Sequence, residues 1–160
     1  MEFKELEEII LEFLNNDNYN KIAFLKHHNT SRLVHTLNVT ACAYHFTNKF
    51  NLNVDFKSLI RGCMLHDFFL YEQYCCPKGK NHLTSHPKEA YKNSKKYFDL
   101  NEIEKEMILL HMFPCTLKIP KNKETWILIL ADKYCATMEF FFKKIYIEEL
   151  RRKEVLRNTL

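Results

Sequence analysis

A histidine and an aspartate stand side by side inside the run Gly62-Cys63-Met64-Leu65-His66-Asp67-Phe68-Phe69-Leu70. The residues around them are apolar, and burying a charge is costly unless it is paired or bound to a metal. A fold that buries this run must therefore bring partners to both side chains. Counting back, Phe56, Leu59, Ile60 and Cys63 recur at helical spacing, and the same stripe continues one turn on into His66 and Asp67. The pair thus points inward. A core histidine bonded to a backbone carbonyl, with the aspartate as a local cap, would also satisfy it, but the rest of the chain weighs against that alternative.

With only two glycines, Gly62 and Gly79, and four prolines, the chain lacks the turns of a β-sandwich and the glycine-rich loop of a nucleotide site. Helices are expected throughout. Phe3, Leu6, Ile9, Ile10, Phe13 and Leu14 place a first helix over residues 2–16, ended by Asn15-Asn16-Asp17-Asn18. Asn29, Thr30 or Ser31 caps a long second helix reaching about Phe50, with an apolar arc broad enough to make it central and to bury His35. Asp55 caps the helix that carries His66 and Asp67, which is expected to run out near Tyr71, and Glu72 to His82 reads as loop. Helix resumes at His86-Pro87, with proline at the first position and Ser85 or His86 as cap. Asn101 and Glu104 form a capping box for the next helix, which turns Ile103, Met107, Leu110 and His111 to its apolar side and closes at Met112-Phe113-Pro114. The run from Trp126 begins like a buried strand but continues past Met138 without a breaker, so its length selects helix. Residues 141–160 read as a basic amphipathic last helix with a solvated face, a homodimer or other partner surface being the alternative.

At 160 residues, 46% hydrophobic and 28% charged, the chain is expected to form one domain over 1–160. Its core spans roughly 30–140, and residues 1–29 supply an N-terminal helix and connection. The formal charge of +4 suits a small anionic substrate and falls short of a nucleic-acid footprint. No apolar run is long enough to cross a bilayer. The acidic, amphipathic start lacks the order of a secretory signal, so a cytoplasmic protein with six reduced cysteines is expected. The fold class read from these features is all-α, a single-domain helical bundle with a metal site between its central helices.

Successive helical segments offer His35, then His66 with Asp67, then His86, His111 and Asp132, each on an apolar face or at a helix end. A shared metal site satisfies all of them at once. Four imidazoles and two carboxylates suit Fe, Mn, Co, Ni or Zn and are poorly matched to an all-oxygen calcium or magnesium cage. Asp67, centrally placed, can bridge two ions. Two ions roughly 3.5–4 Å apart clamp a phosphoryl oxygen and acidify water to a hydroxide nucleophile near neutral pH.

This order of ligands, with Arg32-Leu33-Val34-His35-Thr36-Leu37-Asn38-Val39 before it and Leu130-Ala131-Asp132-Lys133 after it, resembles the HD superfamily of metal-dependent phosphohydrolases. The resemblance implies an HD-type bundle in which His35, His66, Asp67 and Asp132 hold one ion and Asp67, His86 and His111 a second. It also implies hydrolysis of a nucleotide or another small phosphate ester or anhydride; small bacterial members with this ligand set include enzymes that split dinucleoside polyphosphates. The Gly-Tyr-Pro signature of the superfamily's cyclic-dinucleotide phosphodiesterases is absent. Similar ligand sets hold a di-iron centre in myo-inositol oxygenases and a phosphonate-cleaving oxygenase, so an oxygenase is the alternative. A non-catalytic metal-binding regulatory module is the third reading. Beside Asp67, Arg32 and Lys133 are candidate catalytic residues positioned to meet substrate phosphate at the site's mouth. Lys78 and Lys80 are candidate substrate-binding residues, with Lys118, Lys121 and Lys123 flanking. Cys75-Cys76 lack the two-residue spacer of a zinc chelate, so a structural zinc with His82 is set aside.

Overall fold

The amphipathic spacing at the start of the chain produces α1 (Phe3–Leu14), which buries Leu6, Ile9, Ile10 and Phe13. The structure is a computed structural model that describes residues 3–27, 30–71 and 82–142. Asn16 stops α1 and starts α2 (Asp17–Asn20) by accepting from the Asn18 and Tyr19 amides at 3.0 and 3.2 Å. A 3-10 turn (Lys21–Phe24) leads to a two-residue antiparallel ladder, β1 (Lys26–His27) with β2 (Thr30–Ser31). That ladder is the whole of the β structure among the described residues, and the fold is all-α.

Of the three candidate caps, Ser31 is the one used, its hydroxyl accepting from the Val34 amide at 3.3 Å to open α3 (Arg32–Lys49). This is the central helix, packed against α4 (Phe56–Leu65) and α7 (Lys123–Phe142). Two of its buried threonines satisfy themselves locally: the Thr36 and Thr40 hydroxyls each donate to a carbonyl four residues back at 2.8 Å. Asp55 caps α4 through the Ser58 amide at 3.0 Å. The helix then ends at Leu65, short of the expected Tyr71, and His66 and Asp67 occupy the turn that follows. Burial continues through Phe69, so apolar spacing outlives the helix.

The next helix, α5 (His82–Tyr97), starts earlier than the expected His86-Pro87 boundary. Ser85 and His86 lie within it rather than capping it, and Pro87 sits in its interior at the loss of one ladder donor. The capping box is present on α6 (Glu102–Leu110): the Glu104 amide donates to Asn101 at 2.8 Å and the Asn101 amide to Glu104 at 3.1 Å. The run from Trp126 is helical, within α7. Its start is held from α6, because Glu106 Oε1 accepts from the Lys121 and Asn122 amides and the Thr125 hydroxyl at 2.9, 2.8 and 3.0 Å. Lys78, Lys80, the Cys75-Cys76 pair and residues 143–160 of the expected last helix lie outside the described residues.

Side chains from α3, α4, α6 and α7 share one core around Val39, Leu59, Cys63, Met107 and Leu128. A second core joins α1 and α2 to α4 and α5 through Phe13, Tyr19, Met64 and Ala90, with Phe68 among them. Gly62 allows α4 and α6 their close approach, since a Cβ there would collide with the Sδ and Cε of buried Met107. That contact lies one turn before His66 on α4 and one turn before His111 on α6. Arg61 ties three segments together: it pairs with Glu104 at 2.6 Å and with Glu12, and donates to the Asp99 carbonyl at 2.8 Å. No helix among the described residues is long and apolar enough to cross a membrane.

Candidate metal centre

The helix ends explain how the ligands come to face one another. His66 follows α4 and His111 follows α6, and each donates its Nδ1 proton to a carbonyl of its own helix's last turn. The acceptors are Cys63 at 2.7 Å and Ile108 at 2.8 Å. Those carbonyls are among the groups a helix C-terminus leaves without an intrahelical donor. In the neutral ring the bond commits the proton to Nδ1 and leaves the Nε2 lone pair directed inward. At His66 this Nε2 is buried and has no hydrogen-bond partner among the described residues.

The other ligands arrive from three directions. His35 stands in the first turn of α3, His86 within α5 and Asp132 midway along α7, and all six candidates are buried. They form two groups whose ligand atoms lie within 4.8 Å of one another: His35, His66 and Asp132, then Asp67, His86 and His111. Within the first, His35 Nε2 is 3.1 Å and His66 Nε2 3.8 Å from Asp132 Oδ1. Within the second, the His86 and His111 Nε2 atoms are 2.9 Å apart, and Asp67 Oδ1 lies 3.4 and 3.7 Å from them. The other oxygen of Asp67 faces the first group, 3.9 Å from His66 Nε2. One carboxylate thus spans both groups.

The donor set fits divalent transition metals. Imidazole nitrogens and carboxylate oxygens at this spacing, two of the rings already carrying their protons on the outer nitrogen, make two buried groups able to hold an ion each. Electrostatics separates the histidines. Burial lowers the pKa of His35, but its bonds to Asp132 and Glu139 outweigh that and push it up to about 10. Burial raises Asp132, and the neighbouring histidines, His35 first, pull it well below the usual carboxylate range. Burial, then the charges of His86 and His66, push His111 down to about 3.

A pH dependence follows. A metal ligand must be deprotonated, so an ion that takes His35 Nε2 displaces a proton from a group that otherwise keeps it to about pH 10. Between pH 7 and 9 the affinity of the first group for Co²⁺ is expected to rise about tenfold per pH unit. Calorimetry in buffers of differing ionisation enthalpy should register about one proton released per chain; zero release contradicts the charged His35. For the metal-free fold, the raised pKa of His35 contributes stability that is complete below about pH 6.5 and is lost as pH rises through 10. The lowered pKa of His111 acts in the opposite sense, costing stability as pH falls from about 6.5 toward 3.

Of the other candidates from sequence, Lys133 is exposed, with its ammonium 3.4 Å from the His111 carbonyl at the rim of the centre. Arg32 is not at a solvent-facing mouth. It is fully buried, with its guanidinium 3.6 Å over the Phe69 ring, and it donates to the Phe69 and Tyr71 carbonyls at 2.5 and 3.1 Å. It clamps the segment that follows the His66-Asp67 turn, a positional role that follows from the end of α4 at Leu65. Two residues escaped the sequence reading. Glu139 Oε2 lies 3.0 Å from His35 Nδ1, and Asn38 donates to Glu139 Oε1 at 2.9 Å. The available signal was the spacing: Asn38 is one turn beyond His35, and Glu139 two turns beyond Asp132.

No protein-family model, curated protein or solved structure matches the chain.

Proposed function

We propose that the chain is a metal-dependent phosphohydrolase of the HD type, cleaving a nucleotide or another small phosphate ester or anhydride. A dinucleoside polyphosphate is one such substrate. The observation that carries this reading is the placement of Asp67, one oxygen toward His86 and His111 and the other toward His66. A carboxylate shared by two buried ligand groups is the arrangement a two-ion centre needs. The order of ligands along the chain, which resembles that of the HD superfamily, supports the same reading.

Divalent ions bound there would supply Lewis acidity toward phosphoryl oxygens and bring the pKa of water toward neutrality. The chain's own part is to hold and to exclude. His66 and His111 keep Nε2 facing inward through their carbonyl bonds, and the burial of all six ligands keeps bulk water away. Lys133 offers a cation at the rim, where an anionic substrate would approach.

The test is a hydrolysis screen on protein loaded with Mn, Fe, Co, Ni or Zn, run anaerobically against nucleoside di- and triphosphates, dinucleoside polyphosphates and simple phosphate esters. Release of phosphate or a nucleotide, abolished by chelator and restored by metal, is the expected result. Oxygen uptake coupled to a substrate, without hydrolysis, would replace this reading with a di-iron oxygenase. Metal binding with turnover of nothing would leave a regulatory metal-binding module.

A further inference from the structure

Behind His35 lies an assembly that a two-ion centre does not by itself require. The His35 ring is enclosed by carboxylates, Asp132 at Nε2 and Glu139 at Nδ1, and the His35 and Glu139 side chains are 0% and 2% exposed. Both oxygens of Glu139 are engaged, one by His35 and one by the Asn38 amide. His35 and Asn38 share a face of α3, as Asp132 and Glu139 share a face of α7. The helix pair that supplies two ligands of the first group therefore also supplies the residues behind them.

The contrast with the other rings gives the arrangement meaning. His66 and His111 lean on neutral carbonyls, whereas His35 leans on a carboxylate. A hydrogen bond to an ionised acceptor is roughly twice as strong as a neutral one. A carboxylate behind a ligating imidazole fixes its tautomer and raises its basicity.

We propose that Glu139, held in place by Asn38, is the positioning residue of His35, fixing its Nε2 toward the ion site that it forms with His66 and Asp132. This rests on the metal reading of the centre. With an ion at Nε2, the ring's remaining proton is on Nδ1, where Glu139 Oε2 accepts it. The lone pair is then held toward Asp132 and His66. Asn38 prevents the Glu139 carboxylate from rotating away.

The experiment is calorimetric titration of the full chain with Co²⁺. Wild type should show two classes of site. With each affinity corrected for the proton the site releases, Glu139→Gln should weaken one class by about tenfold and Glu139→Ala by about 100-fold, the range seen when the group behind a ligand is lost, with the other class unchanged. A second readout separates positioning from mere packing. In the Co²⁺-loaded protein, the His35 Nδ1 proton should give a paramagnetically shifted, slowly exchanging NMR resonance, assigned by its absence in His35→Gln. It should move in Glu139→Gln and vanish into solvent exchange in Glu139→Ala. If Glu139→Ala does not fold, Glu139→Gln carries both readouts. Two wild-type classes left unaltered by either variant, or weakened equally, would overturn the inference while leaving the metal reading standing. A wild type that takes up no Co²⁺ would overturn both.

Discussion

Replacing Asp67 with alanine is expected to abolish the proposed hydrolysis and leave the centre unable to hold metal, while the fold stays in place. Asp67 faces both ligand groups, one oxygen to each, so its removal takes a ligand from both at once. Losing a residue that only orients a ligand costs roughly 10–100-fold in metal affinity. Losing the shared ligand should cost more than about 100-fold. The effect on stability has a sharp signature. An ion present at about 1,000 times its Kd stabilises a fold by about 4 kcal/mol, and for a chain of this size 1 kcal/mol moves Tm by about 2–4 °C. In saturating metal, Asp67→Ala should therefore melt about 10 °C below wild type, and with chelator the two should nearly coincide. A gap of the same size with and without chelator would show that Asp67 serves the fold and not a metal.

The opposite dissociation is expected at Arg61. Its guanidinium pairs with Glu104 at 2.6 Å and with Glu12, and donates to the Asp99 carbonyl at 2.8 Å, so it joins α1, α4 and the start of α6. Glu104 is 2% exposed. Removing one member of a buried ion pair leaves the other charge uncompensated and costs about 3–5 kcal/mol, a large part of the roughly 5–15 kcal/mol that holds a domain folded. Arg61→Ala should lower Tm with or without metal. The double variant Arg61→Met with Glu104→Gln should recover most of the loss, because the buried charge is gone and glutamine still serves the capping box. A single Arg61→Ala that melts within 2 °C of wild type would show that water reaches the pair and screens it.

Sequence reading reached the helices wherever a local device specifies them. The Asp55 cap, the Asn101–Glu104 box and the apolar period of α1 are short-range physics, and each is found where it was expected. It failed at the end of α4, where Phe68 and Phe69 stay buried after the helix has stopped, so that apolar spacing and helical geometry part company. It failed again at Pro87, read as a first-turn proline although α5 begins at His82. The six ligand candidates were legible because a polar residue in an apolar run needs a reason, and the structure gathers all six into two groups. The roles of Arg32, Glu139 and Asn38 were not. What each does depends on which element packs against it, and sequence period does not report that.

Metal content decides the central claim most directly. Protein purified without added metal or chelator, measured by elemental analysis alongside Asp67→Ala, should carry two transition-metal ions per chain in the wild type and far fewer in the variant. A wild type that holds none, and takes up none when offered Mn, Fe, Co, Ni or Zn, would contradict it. His35, Asp132 and Glu139 would then be a buried ion-paired cluster, and the centre a polar core.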